Sequence, residues 1–264
     1  SKKLSEQIIK TFKNSGFELS EPDVLLDSEY IIERSGEKFK SSMLTFENEI
    51  GIEEIIVDQL HNLNLTPRIL HADTNKKVVI YEKVVGSDLS TVSKANIIYK
   101  CAKQLKKLHN SNIVCDDCGT FESKIKKYEH AIAQNSPNSL FRSAFKFIYE
   151  LVARDKQQVF CHNDLNLSNI MYSDDIFFID WDYAGFNHPY FDLALLFNAM
   201  NLTSKEEYNF LSIYADQENN IDHELLKEYK KMSLYVEYLW IVATSSQENP
   251  KYATRFDELS TLFR

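Results

Sequence analysis

Apolar residues in this chain follow two spacings, and the switches between them predict the order of elements. Leu4, Ile8, Ile9 and Phe12 recur at helical spacing and stop at Ser15-Gly16, which predicts a short amphipathic helix. Val24-Leu25-Leu26, Tyr30-Ile31-Ile32 and Lys38-Phe39-Lys40 read as short strands, the last two turned into a hairpin by Ser35-Gly36. Over 46–63, Ile50, Ile55, Ile56, Leu60 and Leu63 return to helical spacing. A second hairpin pairs Arg68-Ile69-Leu70 with Val78-Val79-Ile80-Tyr81 through Asp73-Thr74-Asn75.

Beyond Gly86 the pattern becomes helical. Ile97, Ile98, Cys101, Ala102, Leu105 and Leu108 form one apolar stripe ending near His109-Asn110. Residues 121–156 predict two more helices and 190–262 three or four, with Pro189 and Pro250 as punctuation. One stretch breaks the helical run: Val159-Phe160-Cys161, Ile170-Met171-Tyr172 and Ile176-Phe177-Phe178-Ile179 have strand character. A polar loop, 162–169, and a Ser173-Asp174-Asp175 turn separate them, and the last run ends abruptly on Asp180.

Composition narrows the class. A chain of 264 residues with 44% hydrophobic content can bury a sizeable core in one two-lobed domain or two small ones. Its net charge of −9 lacks the basic face that nucleic-acid binding requires. No apolar run reaches the ~18 residues of a membrane span, so no membrane insertion is expected and the expected location is cytoplasmic. Cys115-Asp116-Asp117-Cys118 is a lone C-x-x-C without further zinc ligands at recognisable spacing or a thioredoxin-like context, and is read as a surface loop.

The polar loop carries the candidate chemistry. Phosphoryl transfer to an alcohol needs a carboxylate to orient the hydroxyl and take its proton, and oxygen donors to hold magnesium against nucleotide phosphates. Asp164 suits the first role; Asn169 and Asp180 suit the second, since magnesium favours oxygen donors and keeps several of its waters.

The motif His162-x-Asp164-x4-Asn169, followed by Phe178-Ile179-Asp180-Trp181-Asp182-Tyr183-Ala184-Gly185, resembles the choline/ethanolamine kinase family, within the wider aminoglycoside-phosphotransferase-like kinases. The resemblance continues through Asn187-His188-Pro189-Tyr190-Phe191-Asp192-Leu193-Ala194, and in length and wording is nearest to the bacterial choline kinases. It implies that Asp164 is the catalytic base, that Asn169 and Asp180 hold magnesium, and that His162 and Asp192 support the catalytic loop. With the element order, it implies an α+β, protein-kinase-like two-lobed fold: an N-lobe of small sheet and helix over 1–82, a hinge over 83–87, and a mainly helical C-lobe over 88–264.

The same resemblance implies ATP as co-substrate and Mg2+ as cofactor, with Lys40 and the backbone of Glu82 and Val84 as nucleotide contacts. Glu49 and Glu53 are candidate partners for the strand lysine. Where the family carries a loop rich in small residues between its first two strands, this chain has Leu25-Leu26-Asp27-Ser28-Glu29-Tyr30 without glycine, which weakens a backbone cradle for phosphate. For the acceptor, Asn166, Tyr183, Glu237 and Trp240 are candidates, because an ammonium favours aromatic faces and a carboxylate. The expected function is phosphorylation of choline, ethanolamine or a related amino alcohol. An aminoglycoside, thiamine or sugar phosphotransferase of the same fold, and a catalytically silent kinase-like binding protein, stand as alternatives.

Overall fold

The structure is a computed structural model that describes residues 24–26, 29–34, 37–43, 52–67, 69–73, 78–82, 92–133, 139–215, 221–244, 246 and 249–263. The N-terminal helix, the Ser35-Gly36 and Thr74-Asn75 turn residues, Glu49, and the hinge from Lys83 to Gly86 with Val84 lie outside them. The chain divides into two compact units, 1–108 with 113–115 and 168–184, and 109–112 with 116–167 and 185–264.

In the first unit, strands β1 (Val24–Leu26), β2 (Glu29–Arg34), β3 (Glu37–Met43), β4 (Ile69–Asp73) and β5 (Val78–Glu82) form an antiparallel sheet in the order β1-β2-β3-β5-β4. Leu26 pairs with Glu29, so Asp27 and Ser28 alone connect the first two strands. Lys40 lies on the central strand β3, opposite Ile31 on one side and Tyr81 on the other. Helix α1 (Ile52–Asn62) carries Glu53 and packs against β4. Its Ile56 and Leu60 are fully buried, as the helical spacing requires.

Helix α2 (Lys94–His109) buries the whole apolar stripe that the sequence marks, from Ile97 to Leu108. It holds the hairpin of β7 (Ile170–Tyr172) and β8 (Ile176–Phe178) through Gln104, whose Nε2 donates to the carbonyls of Ile176 (2.6 Å) and Asn64 (3.0 Å). Phe178 N–H donates to Leu65 O (2.8 Å), so the hairpin is also tied to the chain leaving α1. Trp181 is fully buried and its indole N–H donates to Phe178 O (3.1 Å), which satisfies the one polar group of that side chain.

The second unit is built on α3 (Phe121–Ala133), α4 (Ser139–Arg154), α5 (Pro189–Met200), α6 (Ser204–Tyr214), α7 (His223–Ala243) and α8 (Pro250–Leu262), with β6 (Val159–Cys161) paired to β9 (Gly185–Asn187). Helix α7 packs against α5, α4, α3 and α8. Helix α5 is apolar around nearly its whole circumference, so it can sit only in the interior, and its residues from Pro189 to Ala194 are all buried. His188 caps it by accepting from Tyr190 N–H (3.1 Å), with Pro189 at the first helical position, where its missing N–H costs nothing.

The C-x-x-C segment departs in part from the sequence reading. Cys115 and Cys118 are buried, 5% and 2% exposed, and both are disulfide-bonded. The chain before Cys115 is anchored by Gln59, which donates to Val114 O (2.8 Å) and accepts from Val114 N–H (2.9 Å). Beyond Cys118, β9 approaches so closely that a Cβ at Gly185 would lie 3.1 Å from Cys118 O and 3.3 Å from Gly119 O. The loop itself lies at the surface, with Asp116 and Asp117 exposed, and it is the two cysteine side chains that turn inward.

Helix α6 begins with a reciprocal cap: Thr203 Oγ1 accepts from Glu206 N–H (3.4 Å) while Glu206 Oε2 accepts from Thr203 N–H (2.8 Å). Thr203→Ala is expected to cost about 1 kcal/mol and to lower the thermal midpoint by about 2–4 °C, as read by calorimetry; an unchanged midpoint would show that the cap carries no weight.

Candidate active site

Strand β6 delivers its chain into the loop that begins at His162. That loop is held from below by Asp192, which is wholly buried on α5. Asp192 Oδ2 accepts from His162 N–H (2.8 Å) and Oδ1 from Asn163 N–H (2.8 Å). Two backbone donors on one buried carboxylate are charge-assisted and fix the loop's direction as it leaves the strand. A third donor, His109 Nε2, lies 3.1 Å from Oδ2.

Asn163 takes a left-handed backbone, φ +65°, which Asn adopts at modest cost. Its side chain is gripped on both sides: Oδ1 accepts from Asn187 Nδ2 (2.9 Å) and Nδ2 donates to Gly185 O (3.3 Å). His162 is fully buried, and its Nδ1 accepts from Asp164 N–H (3.3 Å). Leu165, 1% exposed, anchors the next position as an apolar peg. Between these anchors Asp164 is half-buried, and Asn166 Nδ2 donates to its carbonyl at 3.4 Å. The loop is thus fixed by its backbone on both sides of the half-buried Asp164.

Asn169 closes a 3-10 turn, Leu167–Asn169, and is buried. Its carbonyl accepts from Ile179 N–H (3.1 Å), extending the β7–β8 pairing by one step past Ile170 and Phe178. Asp180 follows directly, exposed and also left-handed, φ +66°. Asn169 and Asp180 therefore stand at the same end of one hairpin, one amide oxygen and one carboxylate. Ser168 Oγ donates to Asn169 Oδ1 at 3.4 Å.

The remaining candidates fall elsewhere. Tyr183 is half-exposed in the turn after Trp181, closed by Ala184 N–H to Trp181 O (2.9 Å). Glu237 and Trp240 share α7, where Trp240 meets Tyr252 of α8 edge to face at 5.4 Å. Glu237 is not an isolated carboxylate: Arg255 of α8 donates to its two oxygens at 2.9 and 2.8 Å. That pairing, before any other contribution, raises the Arg255 guanidinium further above its usual range. Lys40 lies on β3 and Glu82 ends β5.

Three residues of this region were not marked by sequence reasoning: His109, Cys161 and Tyr214. One nitrogen, sulfur or oxygen atom from each of His109, Cys161 and Asp192 lies within 4.8 Å of the others, all buried. Burial pushes the Cys161 thiol well above its usual range, and the nearby Asp192 charge adds to this. The available signal was periodicity: His109 falls four positions after Leu105 on the buried stripe of α2, and Tyr214 four after Phe210 on α6.

A small antiparallel sheet with one helix, a helical unit built on an apolar helix, and a carboxylate-gripped loop leading to an Asn/Asp hairpin define a kinase-like phosphotransferase. This chain belongs to the phosphotransferase enzyme family, which it matches over residues 41–229. It is 26% identical over 207 residues to the protein LicA homolog of Mycoplasma capricolum, covering 78% of this chain and 82% of that one. Among solved structures it is similar to choline kinase LicA from Streptococcus pneumoniae, with 24% identity, 97% of each chain covered and a TM-score of 0.79. It is also similar to LicA in complex with AMP, with 22% identity, 97% and 96% covered and a TM-score of 0.74. The fold is therefore α+β, protein-kinase-like and two-lobed, and within the family the chain resembles the choline kinase type.

Asp192→Asn keeps the shape but turns an amide N–H2 toward a backbone donor. It is expected to destabilise the protein by about 3 kcal/mol, measured by urea unfolding; a loss below about 1 kcal/mol would show that the carboxylate does not grip the loop.

Proposed function

We propose that this phosphotransferase is an ATP- and magnesium-dependent kinase that phosphorylates the hydroxyl of choline, ethanolamine or a related amino alcohol. The observation that carries the reading is the loop gripped by Asp192 through the two backbone amides that precede Asp164, which is itself half-buried. Asp164 is the general base: it orients the acceptor hydroxyl and accepts its proton as the oxygen attacks the terminal phosphorus. His162 and Asp192 are its supports.

The donor set at the end of the β7–β8 hairpin fits magnesium, a hard cation that takes oxygen ligands and few of them from protein. Asn169 and Asp180 would hold it. When bound, the ion neutralises the phosphate oxygens between which charge moves. Lys40, Glu82 and Val84 are proposed nucleotide contacts, with 1–82, 83–87 and 88–264 as N-lobe, hinge and C-lobe. The complex of LicA with AMP supports an adenine nucleotide as the donor.

For the acceptor, Asn166, Tyr183, Glu237 and Trp240 are proposed contacts. Because Arg255 already occupies the Glu237 carboxylate, the Trp240 ring offers the stronger attraction to an ammonium, through its π face. This favours the amino alcohols that the name of the pneumococcal relative suggests.

The test is magnesium-dependent ADP release from ATP with choline, ethanolamine, thiamine and an aminoglycoside offered separately. Stimulation by an amino alcohol is expected, with Asp164→Asn lowering kcat by about 100-fold or more at an unchanged thermal midpoint. Asp180→Asn should raise the magnesium concentration needed for half-maximal rate. Stimulation by the aminoglycoside alone would replace the acceptor class, and an active Asp164→Asn would remove the assigned base.

A further inference from the structure

Asp192 cannot hold the catalytic loop without being held itself. It sits on a helix whose other buried side chains from Pro189 to Phe197 are apolar or aromatic, so nothing on α5 fixes its χ angles through polar contacts. The third donor on its Oδ2 is His109 Nε2 at 3.1 Å, from the end of α2. A carboxylate oxygen only accepts, so Nε2 carries a proton. The other ring nitrogen, Nδ1, lies 2.7 Å from the Tyr214 hydroxyl, at the last residue of α6.

Burial raises the Tyr214 phenol above its usual range, with Cys161 and Asp192 acting in the same direction, so the hydroxyl keeps its hydrogen. On a neutral imidazole with Nε2 protonated, Nδ1 is an acceptor and that hydroxyl is the donor which meets it. The rings cross edge to face, 5.6 Å between centroids and 86° between planes, which restrains the imidazole plane. Cys161 fills the space beside Nε2, its sulfur 3.8 Å away and its thiol directed to Asn187 O at 3.5 Å.

We propose that His109 and Tyr214 are positioning residues for catalysis: Tyr214 O–H donates to His109 Nδ1, His109 Nε2–H donates to Asp192, and Asp192 thereby holds the two loop amides that precede Asp164. The inference rests on the reading of Asp164 as the base. It accounts for the close group of His109, Cys161 and Asp192 without a bound ion, because both nitrogens of His109 and both oxygens of Asp192 already have hydrogen-bond partners. A metal would have to displace them.

Removing the far end of this chain leaves His109 Nδ1 buried without a donor and frees the ring to turn relative to Asp192. Displacement of a reacting group by about 1 Å is enough to cost about 100-fold in rate. Tyr214→Phe is therefore expected to lower kcat by about 10-fold with the KM for ATP nearly unchanged. His109→Leu should lower it by about 100-fold. His109→Gln should recover most of the rate, since its amide N–H can reach Asp192 as Nε2–H does.

The side-chain nitrogen shifts of His109 in 15N-labelled protein give a readout that needs no turnover. The expected result is the neutral Nε2–H tautomer in the wild type, with the Nδ1 shift in Tyr214→Phe moving toward that of an acceptor without a hydrogen-bond donor. An Nδ1–H or doubly protonated ring in the wild type would overturn the proposal, as would a His109→Leu protein that folds and keeps its kcat. If His109→Leu does not fold, Tyr214→Phe and the tautomer decide. Should the wild type turn over none of the acceptors, the function reading fails while the tautomer result stands on its own.

Discussion

A buried carboxylate that accepts two backbone amides is the constraint on which the rest of the second unit depends. Placing Asp192 in the buried first turn of an apolar helix is costly unless donors converge on it, since an uncompensated buried charge costs several kcal/mol. The convergence comes from outside α5: the start of the 162–169 loop supplies two donors and the end of α2 supplies the third. Helix, strand end and loop are therefore stabilised together. Removal of any one leaves the carboxylate short of a partner.

The two polar residues with left-handed backbone in this region are an Asn and an Asp, the types that tolerate it without glycine. Asn163 turns the chain away from β6, and Asp180 turns it after β8. Both turns point short polar side chains where a longer strand would have continued its alternation. Local strain of this kind persists only when the surroundings over-determine it, and at Asn163 the side chain is bonded at both ends.

Much of this was legible in the sequence because burial imposes spacing. The α2 stripe, the strands and the helices over 190–262 followed from the positions of apolar residues, and the motif around Asp164, Asn169 and Asp180 followed from residue types that phosphoryl transfer requires. What was not legible depends on contacts between distant segments. The burial of the Cys115 and Cys118 side chains depends on surroundings from elsewhere in the chain, and Arg255 reaches Glu237 from another helix; neither has a local signature. His109 and Tyr214 did have one, a polar residue at an apolar position, but its meaning required the partner.

Burial of the cysteines also makes the protein its own folding reporter. Cys101 in the first unit and Cys161 in the second are both free and both fully buried. Burial pushes Cys101 up to about 12, and Cys161 is raised as well, so neither offers thiolate to a reagent at neutral pH. With Cys115 and Cys118 held as a disulfide, alkylation of the native chain waits on local opening. The two thiols then report separately: the rate at Cys101 follows the opening of one unit and the rate at Cys161 the opening of the other.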